Sequence, residues 1–374
     1  MNITFLIGNG FDVGLGMKSK FSDYFPLYIK ASENKSEEIK MLSQEIKYDE
    51  DTWAYFEKQK GEYTSKFDLK TQQKYINQFK DFESSFIDYL IEEEKQLSYS
   101  NNEKICTTFI KGLTDFYKGQ NFQAGSRKVL TDIFQARKKS NHIYNFITFN
   151  YTSTLENCIK TLPNGVLSKR KIEGVEWTDK IGSVVHVHGT FEDGPIMGVD
   201  NVGQVANKEL ANSERFLKYL VKPLINELHR NTFDAESEAL IDSSDVICVY
   251  GMSLGETDAK WWVKIIRWLN ANSNRHFVIF NYDEKYNQKT PYSYIEKEEK
   301  IIDALQSYLK NLAINVNGLK SRIHIAIHKN IFAMNLKEKK KPTKLKKSNI
   351  IKANSPINKD FSLQEFQDKL NAIK

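Results

Sequence analysis

The chain has 374 residues, of which 40% are hydrophobic and 12% aromatic, so it can bury the core of one large domain or two small ones. No run approaches the roughly 20 apolar residues that a membrane span requires, and the start MNITFLIGNGFD has no basic segment or cleavage site. We therefore expect a cytoplasmic protein without membrane contact. Three widely spaced cysteines exclude a disulfide framework and a Cys-x-x-Cys zinc site.

The formal net charge of +6 is concentrated at the carboxyl end of the chain. Residues 337–374 contain eleven Lys and four acidic residues, a net charge of +7, which leaves residues 1–336 close to neutral. A Lys-rich segment attracts nucleic acid through a salt-dependent interaction that is independent of sequence, or it is a solvated linker. We predict a basic tail that ends in a short helix and makes weak contact with nucleic acid.

Short apolar runs rich in β-branched residues indicate buried strands along the chain. The first run, residues 3–7, stops at Gly8, and each later run also ends at a small, polar or special residue. Helical patterns separate the runs. This alternation predicts a Rossmann-like α/β fold, with a mostly parallel sheet and helices on both faces. The later predicted strands are 143–149, 181–187, 245–250, 276–280 and 322–327.

The interval between the first two strands does not follow this alternation. It is rich in Lys, Glu, Gln and Phe, with aromatic residues three or four positions apart, as at Phe79 and Phe82. Such spacing is typical of the buried stripe of amphipathic helices. We predict three parts: a nucleotide-binding core (1–19 and 141–336), an inserted helical subdomain (20–140) and the basic tail (337–374).

A Gly-rich segment, GNGFDVGLG at residues 8–16, follows the first strand directly. Glycines let the backbone approach a ligand closely and leave N–H groups that can point at a phosphate or ribose. Val13 stands where the dinucleotide fingerprint needs a third small residue, so the segment is not that fingerprint. Asn9 and Asp12 favour a ligand site at the carboxyl end of the strand, and a structural turn capped by Asp12 is the alternative.

Asn150 and His188 each stand at the end of a later strand. Asn150, in FNYTSTLE (149–156), either faces a ligand or caps the helix that follows. His188, beside Gly189, is the better candidate for acid–base chemistry at neutral pH, whereas a structural role explains His186.

Two further motifs complete the set. YGMSLGETDAKWW (250–262) offers Ser253 in a turn and Asp258 at a helix start. FNYD (280–283) offers Asn281 and Asp283, which could reach ribose hydroxyls. In a parallel sheet these strand ends meet at one rim, which predicts a shared site.

Six sequence motifs occur in a specific order along the chain. They are GNGFD (8–12), Trp53 with Glu57, FNYTSTLE (149–156), HVHG (186–189), MGVDN (197–201) and YGMSLGETD (250–258). This order resembles the AbiH family, known for abortive infection, in which an infected cell stops before phage can multiply. The resemblance covers roughly residues 1–283, and it rests on the combined order of the motifs.

The same order also resembles a zinc-less version of the sirtuin NAD-binding core. Asp12 stands where sirtuins usually have a small hydroxyl residue, and the sirtuin Cys quartet is absent, which weakens the case for deacylation. Sirtuin-like defence effectors often destroy NAD, and that reaction needs no zinc module. The matching positions are Gly8–Gly10, Asn150, His188–Gly189, Gly251–Leu254 and Asn281–Asp283.

The resemblance implies an anti-phage effector that hydrolyses or binds NAD or a related nucleotide, with no metal. His188 would take a proton from a ribose hydroxyl or water, Asn150 would position water or the ribose, and Asp12 would stabilise the cation. We also expect a phage-derived trigger and a homo-oligomer. The expected nucleotide contacts are Gly8, Asn9, Gly10, Phe11, Gly189, Gly251, Ser253, Leu254, Asn281 and Asp283.

Two other functions fit the same residues. A metal-dependent nuclease or phosphohydrolase would use His186 and His188 with Asp258 or Asp193, and the Lys-rich tail would guide it to nucleic acid. A non-catalytic sensor would bind a nucleotide or phage product at the rim and release the helical insert or the tail. A chelator separates the nuclease from NAD hydrolysis, and tight binding without product identifies the sensor.

Overall fold

A computed structural model describes most of the chain before the basic tail. The expected terminal helix of the tail and Asp193 lie outside the described residues. No helix of the described part is long and apolar enough to cross a membrane. The described residues, all within one compact unit, Met1–Glu338, are 1–46, 53–119, 122–192, 194–283, 286, 290–309, 312–327 and 330–337.

The described strands form one sheet. They are β1 (Asn2–Ile7), β2 (His142–Thr148), β3 (Val166–Ile172), β4 (Val175–His186), β5 (Val246–Tyr250), β6 (His276–Asn281) and β7 (Ile323–Ile327). Their order is β3-β4-β2-β1-β5-β6-β7, and every neighbouring pair is parallel except β3 and β4. The predicted α/β fold with a mostly parallel sheet is confirmed, including the strand predicted at 322–327.

All the described α-helices lie between β1 and β7 along the chain. The helices before β2 are α1 (Gly10–Gly14), α2 (Phe21–Ser32), α3 (Glu37–Glu45), α4 (Trp53–Tyr63), α5 (Gln72–Glu94), α6 (Asn102–Thr114) and α7 (Ala124–Ala136). The later ones are α8 (Thr154–Ile159), α9 (Lys208–Ala211), α10 (Glu214–Leu217), α11 (Lys222–His229), α12 (Phe233–Asp242), α13 (Ala259–Ala271) and α14 (Pro291–Ser307).

Alternate residues of the central strands enter two separate hydrophobic clusters. Phe5 and Ile7 of β1 pack into a cluster shared with helices α2–α7, whereas Leu6 joins a cluster shared with α12, α13 and α14. Because side chains alternate across a strand, the two clusters place helices on both faces of the sheet, as predicted. The described residues between 21 and 136 are mostly helical, as expected, and their status as a separate subdomain stays a prediction.

The hairpin of β3 and β4 is missing from the sequence prediction. β4 begins at Val175, well before the predicted start at 181, and half of the added residues are exposed. Strands without an apolar face give no hydrophobic run, so composition hides them. The one local sequence signal is Gly174 in the two-residue turn between β3 and β4. Glu173 and Gly174 both have positive φ angles there (50° and 84°), as two-residue hairpin turns favour.

The direction of strand succession reverses between β1 and β5. From β1 the chain proceeds to β2 and β4 on one side, and it then returns to β5 on the other side. Ligands of open α/β sheets bind in the crevice at such a reversal, outside the carboxyl ends of the strands. The topology therefore places the segments after β1 and β5 at a ligand-binding position.

The loops that follow β1 and β5 are in direct backbone contact. The Gly8 amide donates to the Tyr250 carbonyl (2.9 Å), and the Gly10 amide donates to the Gly251 carbonyl (2.8 Å). A Cβ on Gly10 would lie 2.5 Å from the Gly251 Cα, closer than real Cβ contacts. Gly251 itself has a φ of +71°, which favours glycine. These glycines are therefore required for loop-to-loop packing.

Replacing Gly10 by Ala should destabilise the fold by about 1–3 kcal/mol, because the added methyl group overpacks the contact with Gly251. Gly125, near the start of α7, is the matched control, since a Cβ there meets nothing within 4 Å. Gly125→Ala should leave stability unchanged or raise it by up to about 1 kcal/mol. Urea unfolding of both variants measures the difference, and equal effects would contradict the close approach of the two loops.

Candidate functional site

A cavity of about 560 Å³ lies at the carboxyl ends of the central strands. This volume is within the range of about 300–1,000 Å³ that is usual for small-molecule sites. Helices α4 and α5 of the helical segment cover it through Glu57, Phe86 and Leu90. The predicted site residues that line the cavity are Gly8, Asn9, Gly10, Asp12, Asn150, His188, Gly251 and Ser253.

The backbone of the Gly-rich loop is engaged within the protein. Besides the bonds from Gly8 and Gly10 to the loop after β5, the Phe11 amide donates to the Gly8 carbonyl (2.9 Å). The expectation that these three amides point at a phosphate is therefore wrong, because loop packing uses them. Asn9 is held as well, since its amide group donates to the Ser19 carbonyl (2.9 Å) and its oxygen accepts from the Ser19 hydroxyl (2.5 Å).

Asp12 is a buried carboxylic acid held between two threonines. It accepts hydrogen bonds from the hydroxyls of Thr152 (2.8 Å) and Thr154 (2.5 Å). Burial raises the pKa of Asp12 to about 7, although the hydrogen bonds from Thr154 and Thr152 act in the opposite direction. The carboxyl group therefore keeps its proton to a much higher pH than an ordinary aspartic acid does.

Asn150 links the segments that follow β1 and β2. Its side-chain amide donates to the Gly8 carbonyl (3.2 Å), and its backbone amide donates to the Thr148 hydroxyl (3.2 Å). Asn150 is buried but still lines the cavity. This position lets its side chain face a ligand while it holds the Gly-rich loop in place.

His188 is buried beside two charged side chains. Its Nε2 lies 3.3 Å from Oδ1 of Asp258 and 3.5 Å from Nζ of Lys222. The ring packs edge to face with Phe149, with centroids 5.3 Å apart. Nδ1 is buried and has no hydrogen-bond partner among the described residues. A buried imidazole with one nitrogen next to a carboxylate and the other unpaired can act as a base or acid in the cavity.

Lys222 joins a second carboxylate to this group. Its Nζ donates to Oε2 of Glu57 (2.8 Å) and to Oδ1 of Asp258 (3.2 Å), and it is only 3% exposed. Burial raises the pKa of Asp258, but Lys222 and the hydrogen bond from His188 outweigh it and hold that pKa well below its usual range. The pKa of Lys222 is in turn raised by Asp258 and Glu57 against the effect of burial. We call Glu57, Lys222, Asp258 and His188 the buried network.

Sequence reasoning did not find Lys222. A lysine at the start of a helix has no local pattern that distinguishes a buried ammonium from a solvated one, so only the fold shows it. Glu57 entered the sequence analysis as part of a family motif without a chemical role, and Asp258 entered as an alternative metal ligand. The structure gives both carboxylates a common partner in Lys222.

His186 does not share the environment of His188. Its Nδ1 lies 2.9 Å from the Asn150 carbonyl and its Nε2 lies 2.5 Å from Oε1 of Glu156. Within the residues that the structure describes, no three His, Cys, Asp or Glu side chains group as metal ligands. The geometry therefore supports a structural role for His186 and provides no assembled His186–His188 metal site.

Five predicted contact residues do not line the cavity. Phe11 is buried against Tyr250 and Phe332, and Gly189 forms a turn with a φ of +70°. The Leu254 carbonyl accepts from the Tyr308 hydroxyl (2.7 Å). Asn281 ends β6, and Asp283 pairs with Lys297 (2.5 Å). In FNYD, Phe280 and Tyr282 line the cavity instead.

A family model described as bacteriophage abortive infection AbiH matches residues 4–282. The match covers about three quarters of the 374-residue chain. It begins in β1 and ends after β6, so it includes all four members of the buried network and every predicted site residue except Asp283. No curated protein matches the chain.

Replacing Lys222 by Met should destabilise the protein by about 3–5 kcal/mol, because it leaves the carboxylates of Glu57 and Asp258 buried without their cation. Lys95→Met is the control, since that lysine is 64% exposed and its pair with Glu92 is on the surface. The control should change stability by less than about 1 kcal/mol. Urea unfolding of both variants gives the comparison, and equal losses would show that Lys222 is not the counter-ion described.

Asp12 should make folding stability depend on pH. Its folded-state pKa of about 7 exceeds the ordinary 3.8, so the stability that its proton contributes is complete below pH 3.8 and is lost as the pH rises through 7. Asp12→Asn cannot ionise. Relative to the natural protein it should gain up to roughly 4 kcal/mol of stability between pH 4 and pH 8.

Thermal or urea unfolding across this pH range measures the gain. Asp303→Asn, on the exposed side of α14, is the control and should track the natural protein at each pH. Parallel stability curves for Asp12→Asn and the natural protein would contradict the raised pKa.

Proposed function

The chain belongs to the AbiH family of bacteriophage abortive infection proteins, and we propose that it acts in this defence by hydrolysing NAD or a related nucleotide in the cavity beside β1 and β5. The observation that carries the proposal is the convergence of His188, Asn150 and Asp12 on one cavity at the reversal point of the sheet. Open α/β sheets bind nucleotides at that position.

Hydrolysis breaks the bond between nicotinamide and ribose. The bonding electron pair leaves with nicotinamide, the anomeric carbon becomes cationic, and water adds to it and loses a proton. In our proposal His188 accepts that proton, Asn150 orients the water or the ribose, and ionised Asp12 stabilises the cation. The products are nicotinamide, ADP-ribose and one proton, so atoms and charge balance without a metal or a redox partner.

The phosphates need a different binding group from the one that the sequence suggested. Since the amides of Gly8, Gly10 and Phe11 are engaged within the protein, they do not form a phosphate cradle. Lys20 lines the cavity and is exposed, so we assign it the phosphates at the mouth. Phe86 and Tyr282 add aromatic surface to the walls, which suits a nucleobase or the nicotinamide ring.

Incubation of the purified chain with NAD should release nicotinamide, and His188→Ala should reduce the rate by about 10²–10⁴ while the protein stays folded. His229→Ala, at the exposed end of α11, is the matched histidine control and should keep full activity. Chromatography of free nicotinamide, with circular dichroism to verify folding, provides the measurement.

Three outcomes would overturn parts of the proposal. Full activity of a folded His188→Ala protein would remove His188 as the base. Loss of activity with a chelator would favour the metal-dependent alternative. No nicotinamide release by the natural protein, alone or with lysate of phage-infected cells, would refute NAD hydrolysis.

A further inference from the structure

Lys222 and Glu57 have no part in the reaction as proposed above, yet they are buried next to the proposed base. The ammonium group of Lys222 donates to Glu57 (2.8 Å), to the Thr257 carbonyl (3.2 Å) and to Asp258 (3.2 Å). Buried ammonium groups need such a complete set of acceptors. The lysine therefore fixes Glu57 and Asp258 relative to each other across α4, α11 and the start of α13.

The position of Asp258 decides which nitrogen of His188 carries a proton. Its Oδ1 lies 3.3 Å from His188 Nε2, and an ionised carboxylate can only accept a hydrogen bond. Nε2 must then donate, which leaves Nδ1 without a proton in the neutral ring. Nδ1 has no hydrogen-bond partner among the described residues, so its lone pair is available to a ligand.

We propose that Glu57, Lys222 and Asp258 are positioning residues that hold His188 with its proton on Nε2 and its base on Nδ1. The catalytic meaning of this assignment rests on the proposed NAD hydrolysis. The arrangement of charges does not, because it follows from contacts within the chain. The proposal thus gives a positioning role to Lys222, a buried lysine that belongs to none of the sequence motifs.

The charged groups that face His188 have opposite signs, so removing a carboxylate and removing the ammonium should have opposite effects on protonation of the ring. Asp258 and Glu57 favour the protonated ring, whereas Lys222 disfavours it. Asp200 is a further carboxylate packed against the same group, where its Oδ2 accepts from the Lys260 amide (3.3 Å) and it interacts with Lys222 and Asp258. Asp200 remains in place in the variants below and contributes equally to each.

Nuclear magnetic resonance of isotope-labelled histidine in the full-length chain tests the proposal without any substrate. The His188 signal is assigned by its loss in His188→Ala. In the natural protein we expect the tautomer protonated on Nε2. Lys222→Met should raise the titration midpoint of His188, and Glu57→Gln should lower it, each by about one pH unit or more. Lys260→Met removes a nearby lysine that pairs with Asp234 instead, and it should leave the midpoint unchanged.

Shifts of opposite sign in the two variants would support the positioning role, since a general loss of structure would move the midpoint in the same direction in both. If Lys222→Met fails to fold, the tautomer of the natural protein and the shift in the isosteric Glu57→Gln decide the question. A ring protonated on Nδ1, or an unchanged midpoint in Glu57→Gln, would overturn the assignment. Neither result depends on NAD, so an inactive protein with both shifts would refute only the proposed function.

Discussion

The buried network depends on the ammonium group of Lys222. Lys222 is enclosed, and its two carboxylate partners come from different parts of the chain: Glu57 from the helical segment before β2 and Asp258 from the turn after β5. Separating either one from Lys222 leaves a charge in an apolar environment, which costs several kcal/mol. This constraint fixes the helical cover on the cavity and, through Asp258, also fixes the ring of His188.

The packing of glycines determines where the cavity can form. Because the loops after β1 and β5 touch through Gly10 and Gly251, the amides of Gly8 and Gly10 bond to the opposite loop at the place where a Rossmann fold usually binds a pyrophosphate. The cavity lies beneath α4 and α5 and extends to both sides of this contact, from Asn150 and His188 after β2 and β4 to Ser253 and Tyr282 after β5 and β6. The glycines that suggested a phosphate cradle thus serve the packing of the two loops, and side chains after several strands line most of the cavity.

Hydrophobic pattern was sufficient to predict β1, β2, β5, β6 and β7, because each is almost wholly buried and reads as a continuous apolar run. It could not predict β3 and the first half of β4, which are polar and partly exposed. The sequence also predicted that Asn150 and His188 lie at one edge of the sheet, because each follows a strand and the carboxyl ends of parallel strands lie at the same edge. The ion pairs of Lys222 and the hydrogen bonds of the Gly8 and Gly10 amides join residues that are far apart in the sequence. Residue type alone does not reveal such contacts.

Folding stability and the proposed catalytic role favour opposite charge states of Asp12. Burial makes its ionised form costly, so the folded protein without a ligand is most stable when Asp12 carries a proton. A cation next to the carboxylate reverses this preference, because the charge that was costly gains a partner. Binding of the cationic nicotinamide ring of NAD would therefore be linked to release of the proton from Asp12. In that linkage the ligand would itself generate the carboxylate that the proposed mechanism requires beside the anomeric carbon, and the protein without a ligand would avoid the cost of holding it.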